Sequence, residues 1–168
     1  MNELRDAYIM ELQDLYDAEQ QILQALPQMA QAASHDELRR ALQEHEQQTR
    51  GQVRRLEQIF QRLGQAPGGR QCRIVQAMIQ DGQEKLRQGG APDTLDALII
   101  ATQQKIEHYE IAGYGTARSW AVHMNELDAA ELLQQTADEE GETDKRLTRL
   151  AESRINREAM SRPRAAAA

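Results

Sequence analysis

The sequence predicts an all-α protein: a four-helix bundle of two helical hairpins whose crossover connection contains a shorter fifth helix. Three observations lead there. Ala, Leu, Gln, Glu and Arg dominate the 168 residues, aromatics make up 4%, and ten Gly and four Pro are all the chain contains, a composition that suits helices and starves strands. Apolar residues recur at alternating steps of three and four. The periodic stretches are divided by two hairpin-sized breaks and one longer connection.

In the first helix the apolar positions are Leu4, Tyr8, Leu12, Leu15, Ile22, Leu26, Met29 and Ala33, with a gap at position 19. Ser34, three residues before Glu37, makes a capping box and predicts the start of the second helix. That helix carries Leu38, Leu42, His45, Thr49, Val53, Leu56, Phe60 and Leu63 on one face. It stops at Gly64, with Pro67-Gly68-Gly69 beyond. Ile74, Met78, Ile79 and Leu86 predict a crossover helix of about four turns before Gly89-Gly90-Ala91-Pro92. Leu95, Ile99, Thr102, Ile106, Tyr109, Gly113, Thr116 and Trp120 mark the third long helix. A turn near Asn125 leads to a fourth, carrying Leu127, Ala130, Leu133, Ala137, Leu147 and Leu150. Residues 1–156 read as one domain, and the Arg-rich tail 157–168, ending in four alanines, is expected to fray.

Two long hairpins joined by one crossover describe the ferritin-like arrangement. A shift of 91 positions lays Leu15 on Ile106, Leu42 on Leu133, Leu56 on Leu147, Ile59 on Leu150 and Glu19 on Glu110. This is the pattern of a duplicated hairpin, although plain coiled-coil spacing also gives the leucine matches.

Charge and cysteine content narrow the function. Twenty Lys and Arg against 27 Asp and Glu leave a net charge of −7, which opposes coating of nucleic acid. One cysteine, Cys72, excludes an internal disulfide framework and a multi-cysteine metal site within one chain. No secretory signal is visible, and the longest apolar run, Ala97 to Ala101, is far too short for a bilayer, so a soluble cytoplasmic protein is expected. Phosphate loops, nucleophile elbows and the His-Glu-x-x-His motif are all missing from the sequence.

The informative residues are polar ones inside the apolar stripes. Glu19 holds a core position, where an unpaired carboxylate is costly or takes up a proton. Counting out from the turn near Ser34 sets it against Gln48 and Thr49, with His45 one turn nearer the loop. Counting out from Asn125 sets Glu110 level with Glu140, and Glu107 level with Thr143 and Asp144. Glu19, His45, Glu107, Glu110, Glu140 and Asp144 thus form a candidate ligand set for iron or manganese, as one ion or two, because hard carboxylate oxygens neutralise the cations and bridge them. Each residue also has a plainer reading. Glu19 can be partly exposed or paired with a Lys or Arg, and His45 can be a hydrogen-bonded core residue. Glu139 and Glu142 read as a solvated acidic face, His108 as a surface residue or one behind the ligands, and Lys105, His35 and His123 as surface residues. The four tyrosines read as packing, although a Tyr beside a redox metal can donate a hydrogen bond or an electron.

The segments Asp14-Leu-Tyr16-Asp-Ala-Glu19, His45 to Gln52 and, most distinctively, Lys105-Ile-Glu107-His-Tyr-Glu110-Ile-Ala-Gly-Tyr114-Gly-Thr resemble the YciE/YciF family of bacterial ferritin-like stress proteins. The resemblance runs from about Leu4 to Glu152. It implies a rubrerythrin-like bundle, commonly a homodimer, tied to stress responses and related to di-iron carboxylate proteins. It implies the same six ligand candidates; metal ions and oxygen or peroxide are the expected partners, while the charge balance opposes nucleic acid and the short apolar runs oppose a membrane. One departure stands out: ferritin-like chains place a Glu three residues before a His on the second and fourth helices, whereas here these read His45-x-x-Gln48 and Glu140-x-x-Thr143. A neutral amide is the poorer ligand for a hard cation. Two functions follow as expectations. One is metal-dependent peroxide or oxygen chemistry, or metal handling. The other is a bundle that keeps the fold without the metal and acts through an oligomer or a protein partner. DNA protection is a weaker third, resting on Arg154, Arg157, Arg162 and Arg164.

Overall fold

A computed structural model describes residues 3–161. Its helices are α1 (Leu4–Ala32), α2 (Asp36–Leu63), α3 (Arg73–Arg87), α4 (Pro92–His123) and α5 (Leu127–Leu150), followed by a π-helical turn (Ala151–Ile155) and a short α6 (Asn156–Ser161). No strand occurs among the described residues. The helix runs five residues into the tail expected to fray, and residues 162–168 lie outside the described residues.

The turns are set by local chemistry. Gly64 ends α2 with φ 65°, and the Gln65 N–H donates back to Phe60 O at 3.0 Å, a left-handed stop that favours glycine. Asn125 turns α4 into α5 with φ 59°, the one non-glycine residue with positive φ among those described.

The α1–α2 turn corrects an expectation. Ser34 does not cap α2: its Oγ and N–H donate to Asp96 of α4 at 2.6 and 2.8 Å, and the His35 N–H joins them at 2.9 Å. The cap is His35, whose Nδ1 accepts from the Glu37 N–H at 3.2 Å. A buried carboxylate is a stronger acceptor for the Ser34 hydroxyl than a helix N–H is a donor to it, so the tertiary bond prevails over the local one. At the other end Arg5 of α1 reaches Glu126 in the α4–α5 turn at 3.4 Å. Positions 5 and 96, and 35 and 126, are again 91 apart, so each hairpin holds the turn of the other.

The crossover is strapped to α1. Asp17 Oδ2 accepts from the Cys72 N–H at 2.7 Å, Gln21 Nε2 donates to Cys72 O at 3.1 Å, and Asp14 pairs with Arg70 at 2.9 Å. From there α3 lies close against α4, since a Cβ at Gly82 would come within 2.5 Å of Thr102 Cγ2.

The apolar core has two lobes. One holds Ile22, Leu26, Leu38, Leu42, Ile99, Ile106, Leu147 and Leu150. The other holds Tyr8, Leu12, Leu15, Leu56, Phe60, Tyr114, Ala117 and Leu133. Each long helix carries buried polar residues between the lobes: Glu19 on α1, His45, Thr49 and Gln52 on α2, Glu107 and Glu110 on α4, Thr136 and Glu140 on α5. Asp96, Thr102 and Gln103 of α4 are buried nearer the Ile22 lobe. Leu4 and Leu127, which open two of the apolar stripes, are exposed.

Candidate metal centre

Between the lobes, acids from three helices converge on a histidine from the fourth. Glu19, His45, Glu107, Glu110 and Glu140 are all between 0 and 2% exposed. His45, Glu107, Glu110 and Glu140 each offer a ligand atom within 4.8 Å of the others. His45 Nε2 lies 3.2 Å from Glu107 Oε1 and 3.8 Å from Glu140 Oε2. Glu19 lies outside that group and borders it from α1 beside Glu110, with the Tyr114 hydroxyl donating to its Oε1.

Few protein donors serve these carboxylates. Gln103 Nε2 donates to Glu107 Oε1 at 2.7 Å. Glu19 Oε2, Glu107 Oε2 and both oxygens of Glu110 and of Glu140 are buried with no hydrogen-bond partner. Six such oxygens are an unusual load for a core, because a buried acceptor without a protein donor is costly unless a proton or a cation comes to it.

The electrostatics follow. Burial pushes the Glu19 carboxyl up to about 8, against the pull of the Tyr114 hydrogen bond and the His45 charge. Burial and then the charges of Glu19 and Glu107 hold Glu110 well above the usual carboxylate range. Burial and then the charges of Glu110 and Glu107 do the same to Glu140. Burial also works to raise Glu107, but the His45 charge and the hydrogen bonds outweigh it and leave this acid below its ordinary value. Burial works to lower His45, and the Glu107 charge reverses the sign. Without a cation the centre is therefore a histidine drawn toward its charged form beside Glu107, with Glu19, Glu110 and Glu140 drawn toward the forms that keep their protons. A divalent cation would replace those protons and satisfy the orphaned oxygens, so four carboxylates and one imidazole fit an oxygen-preferring ion such as iron or manganese.

Two expectations need correction. Asp144 is not with the others: its Oδ1 accepts from Gln104 Nε2 at 2.9 Å and lies 3.4 Å from the exposed His108 Nε2. Counting from the turn sets its height correctly, since Gln104 and His108 flank Glu107 in the chain. Height does not fix azimuth, however, and a step of four residues overshoots a full helical turn by about 40°. Gln48 is exposed, and Thr49 takes the α2 position inside the bundle. Under the 91-residue shift Thr49 matches Glu140, so α5 supplies a carboxylate where α2 supplies none.

Tyr114, expected mainly to pack, with a hydrogen bond at the site as the lesser alternative, does make that bond, and Gln103 is a partner of the acids that was not expected. Their spacing could have shown them: Tyr114 is four residues after Glu110 and Gln103 four before Glu107, one turn away on the same face. Glu139 is likewise not freely solvated but paired with Arg55. Cys72 stands at the start of α3, its Sγ 3.2 Å from Tyr109 Oη.

Residues 3–160 match a family described as a domain of unknown function, DUF892. The protein YciF of Escherichia coli K12 is 36% identical over 160 residues, 95% of this chain and 96% of that protein. The crystal structure of the E. coli stress protein YciF superposes with a TM-score of 0.89 at 35% identity, covering 93% of this chain and 99% of that one. YcfI from Rhodopseudomonas palustris gives 0.85 at 36% identity over 88% and 94%. A Xanthomonas campestris protein, at 0.74 and 18% identity over 94% and 97%, shares the fold alone. No helix among the described residues is long and apolar enough to cross a membrane. A bundle of this topology, matched along almost its whole length at this identity, belongs to the DUF892 family, the YciF-like stress proteins.

Proposed function

We propose that the chain holds iron or manganese between its two core lobes, through Glu19, His45, Glu107, Glu110 and Glu140, and serves peroxide or oxygen chemistry, or metal handling, under stress. The observation that carries this reading is the set of six buried carboxylate oxygens without donors, facing one histidine. The bound ion would supply the open coordination positions and the redox couple. The remaining work belongs to the protein. Tyr114 occupies one oxygen of Glu19 and Gln103 one oxygen of Glu107, so each acid presents its other oxygen free. Thr143 Oγ1 lies 3.5 Å from His45 Nδ1, leaving Nε2 toward Glu107 and Glu140. Burial favours the neutral forms of Glu19, Glu110 and Glu140, so a cation competes with protons for these acids and uptake tightens as pH rises. A homodimer is the assembly that goes with this proposal.

The test is the elemental content of protein purified without chelator, beside Glu110→Ala. About one or two ions of iron or manganese per chain are expected, lost in the variant. A wild-type content near zero after anaerobic incubation with ferrous or manganous salt refutes the proposal.

The absence of an α2 counterpart to Glu140 favours a second reading, in which the bundle keeps its buried acids protonated and acts through an oligomer or a partner. YcfI, provisionally described as structural, is the relative that this reading would align with. Under it, Mn²⁺ and Fe²⁺ leave the thermal stability of the protein unchanged.

A further inference from the structure

The seams around the buried centre differ. On the α1–α4 side the seam is shut: a Cβ at Gly113 would come within 2.8 Å of Leu15 Cδ2, and Tyr114 is fully buried over Glu19. On the α2–α5 side polar groups run from solvent to the interior. Gln52, fully buried, donates through Nε2 to Glu139 Oε2 at 3.1 Å. Arg55, one turn on, donates through Nη1 to Glu139 Oε1 at 3.1 Å and through Nη2 to Glu139 Oε2. The Arg55 and Glu139 side chains are 14% and 33% exposed, so the pair spans the boundary. Glu139 directly precedes Glu140 of the centre. Two atoms here are buried without partners, Gln52 Oε1 and Arg55 Nε. With Nε2 committed to Glu139, the Gln52 carbonyl oxygen is an acceptor that no protein donor uses.

We propose that Glu139 and Gln52 form a way-station through which a divalent cation reaches the buried centre, and that the Arg55 guanidinium is its gate. This rests on the metal reading above. The guanidinium holds the position on Glu139 that a cation would take, and its charge repels an approaching ion. When Arg55 swings out, the Glu139 carboxylate and the Gln52 carbonyl present hard oxygens to the ion, one residue from Glu140. Arg55 touches no ligand of the centre and acts by position.

The test mixes full-length protein with MnCl₂ and follows the fall of the free Mn²⁺ EPR signal, which gives both rate and final stoichiometry. Arg55→Gln is expected to load about tenfold faster, equivalent to about 1.4 kcal/mol of barrier, with unchanged stoichiometry. Arg55→Lys, which restores the charge, should load close to the wild-type rate. Glu139→Gln should load at least about fivefold more slowly to the same endpoint. If all three variants load at the wild-type rate and stoichiometry, the gate is wrong and the centre stands. If the wild type takes up no Mn²⁺, the centre and the gate fall together. Should Arg55→Gln not fold, Glu139→Gln alone decides, and a wild-type rate for it overturns the proposal.

Discussion

Replacing Glu19 by Gln makes the internal electrostatics measurable. The carboxyl has an ordinary value of 4.5 and is pushed up to about 8 by burial in the folded chain. Between these values the folded state binds a proton that the unfolded chain has released. Stability therefore falls as pH rises through this window, by about 1.4 kcal/mol per unit, and is flat above it. From pH 4.5 to 7 the accumulated loss is roughly 3 kcal/mol. Glu19→Gln removes it, because the amide carries no charge and its carbonyl still accepts from Tyr114. Urea denaturation in chelator at pH 5, 6, 7 and 8 should give a variant that is more stable than wild type at pH 7 and has a shallower pH dependence. Adding Mn²⁺ at about one hundred times its dissociation constant should return about 2.7 kcal/mol to the wild type. The variant should gain much less. An equal pH slope in the two proteins, or a variant destabilised by several kcal/mol at pH 7 in chelator, would refute the assignment of Glu19 as a buried, proton-holding acid.

Three further outcomes are expected. Asp144→Ala should leave metal stoichiometry at the wild-type value by elemental analysis, because that carboxylate faces Gln104 and His108. Gly82→Ala should cost about 1–3 kcal/mol in urea melts, since the new Cβ would press on the β-branched Thr102, which has little rotamer freedom to yield. Asp96→Ala should cost at least about 3 kcal/mol by removing the acceptor of three hydrogen bonds, whereas Arg5→Ala at the opposite turn should cost less than about 1 kcal/mol, its ion pair being 48 and 34% exposed.

The long helices and the depth of the polar band were legible because both depend on spacing along one helix. Four carboxylates and one histidine could be placed from interruptions in the apolar stripes and from counting outward from two turns. What spacing cannot carry is rotation about the helix axis, and Asp144 shows the cost: right level, wrong face. The Ser34 capping box failed for a related reason. A local motif was outbid by Asp96, 62 residues away, which periodicity cannot connect to it. The Gln52–Arg55–Glu139 cluster was invisible because its partners are 84 and 87 residues apart and belong to types common on any helix surface.

The two turn-holding contacts give the bundle a direction. A buried carboxylate with three donors fixes the end where α1 meets α2, while a half-exposed pair at 3.4 Å holds the end where α4 meets α5. Opening fluctuations should therefore begin at the Glu126 end and die out toward Asp96, so that amide exchange is graded along the bundle axis. Water would then meet the Leu15 lobe before the Ile22 lobe, and the acids between them would be reached from one side. The bundle has in this way a firmly held end and a loosely held one.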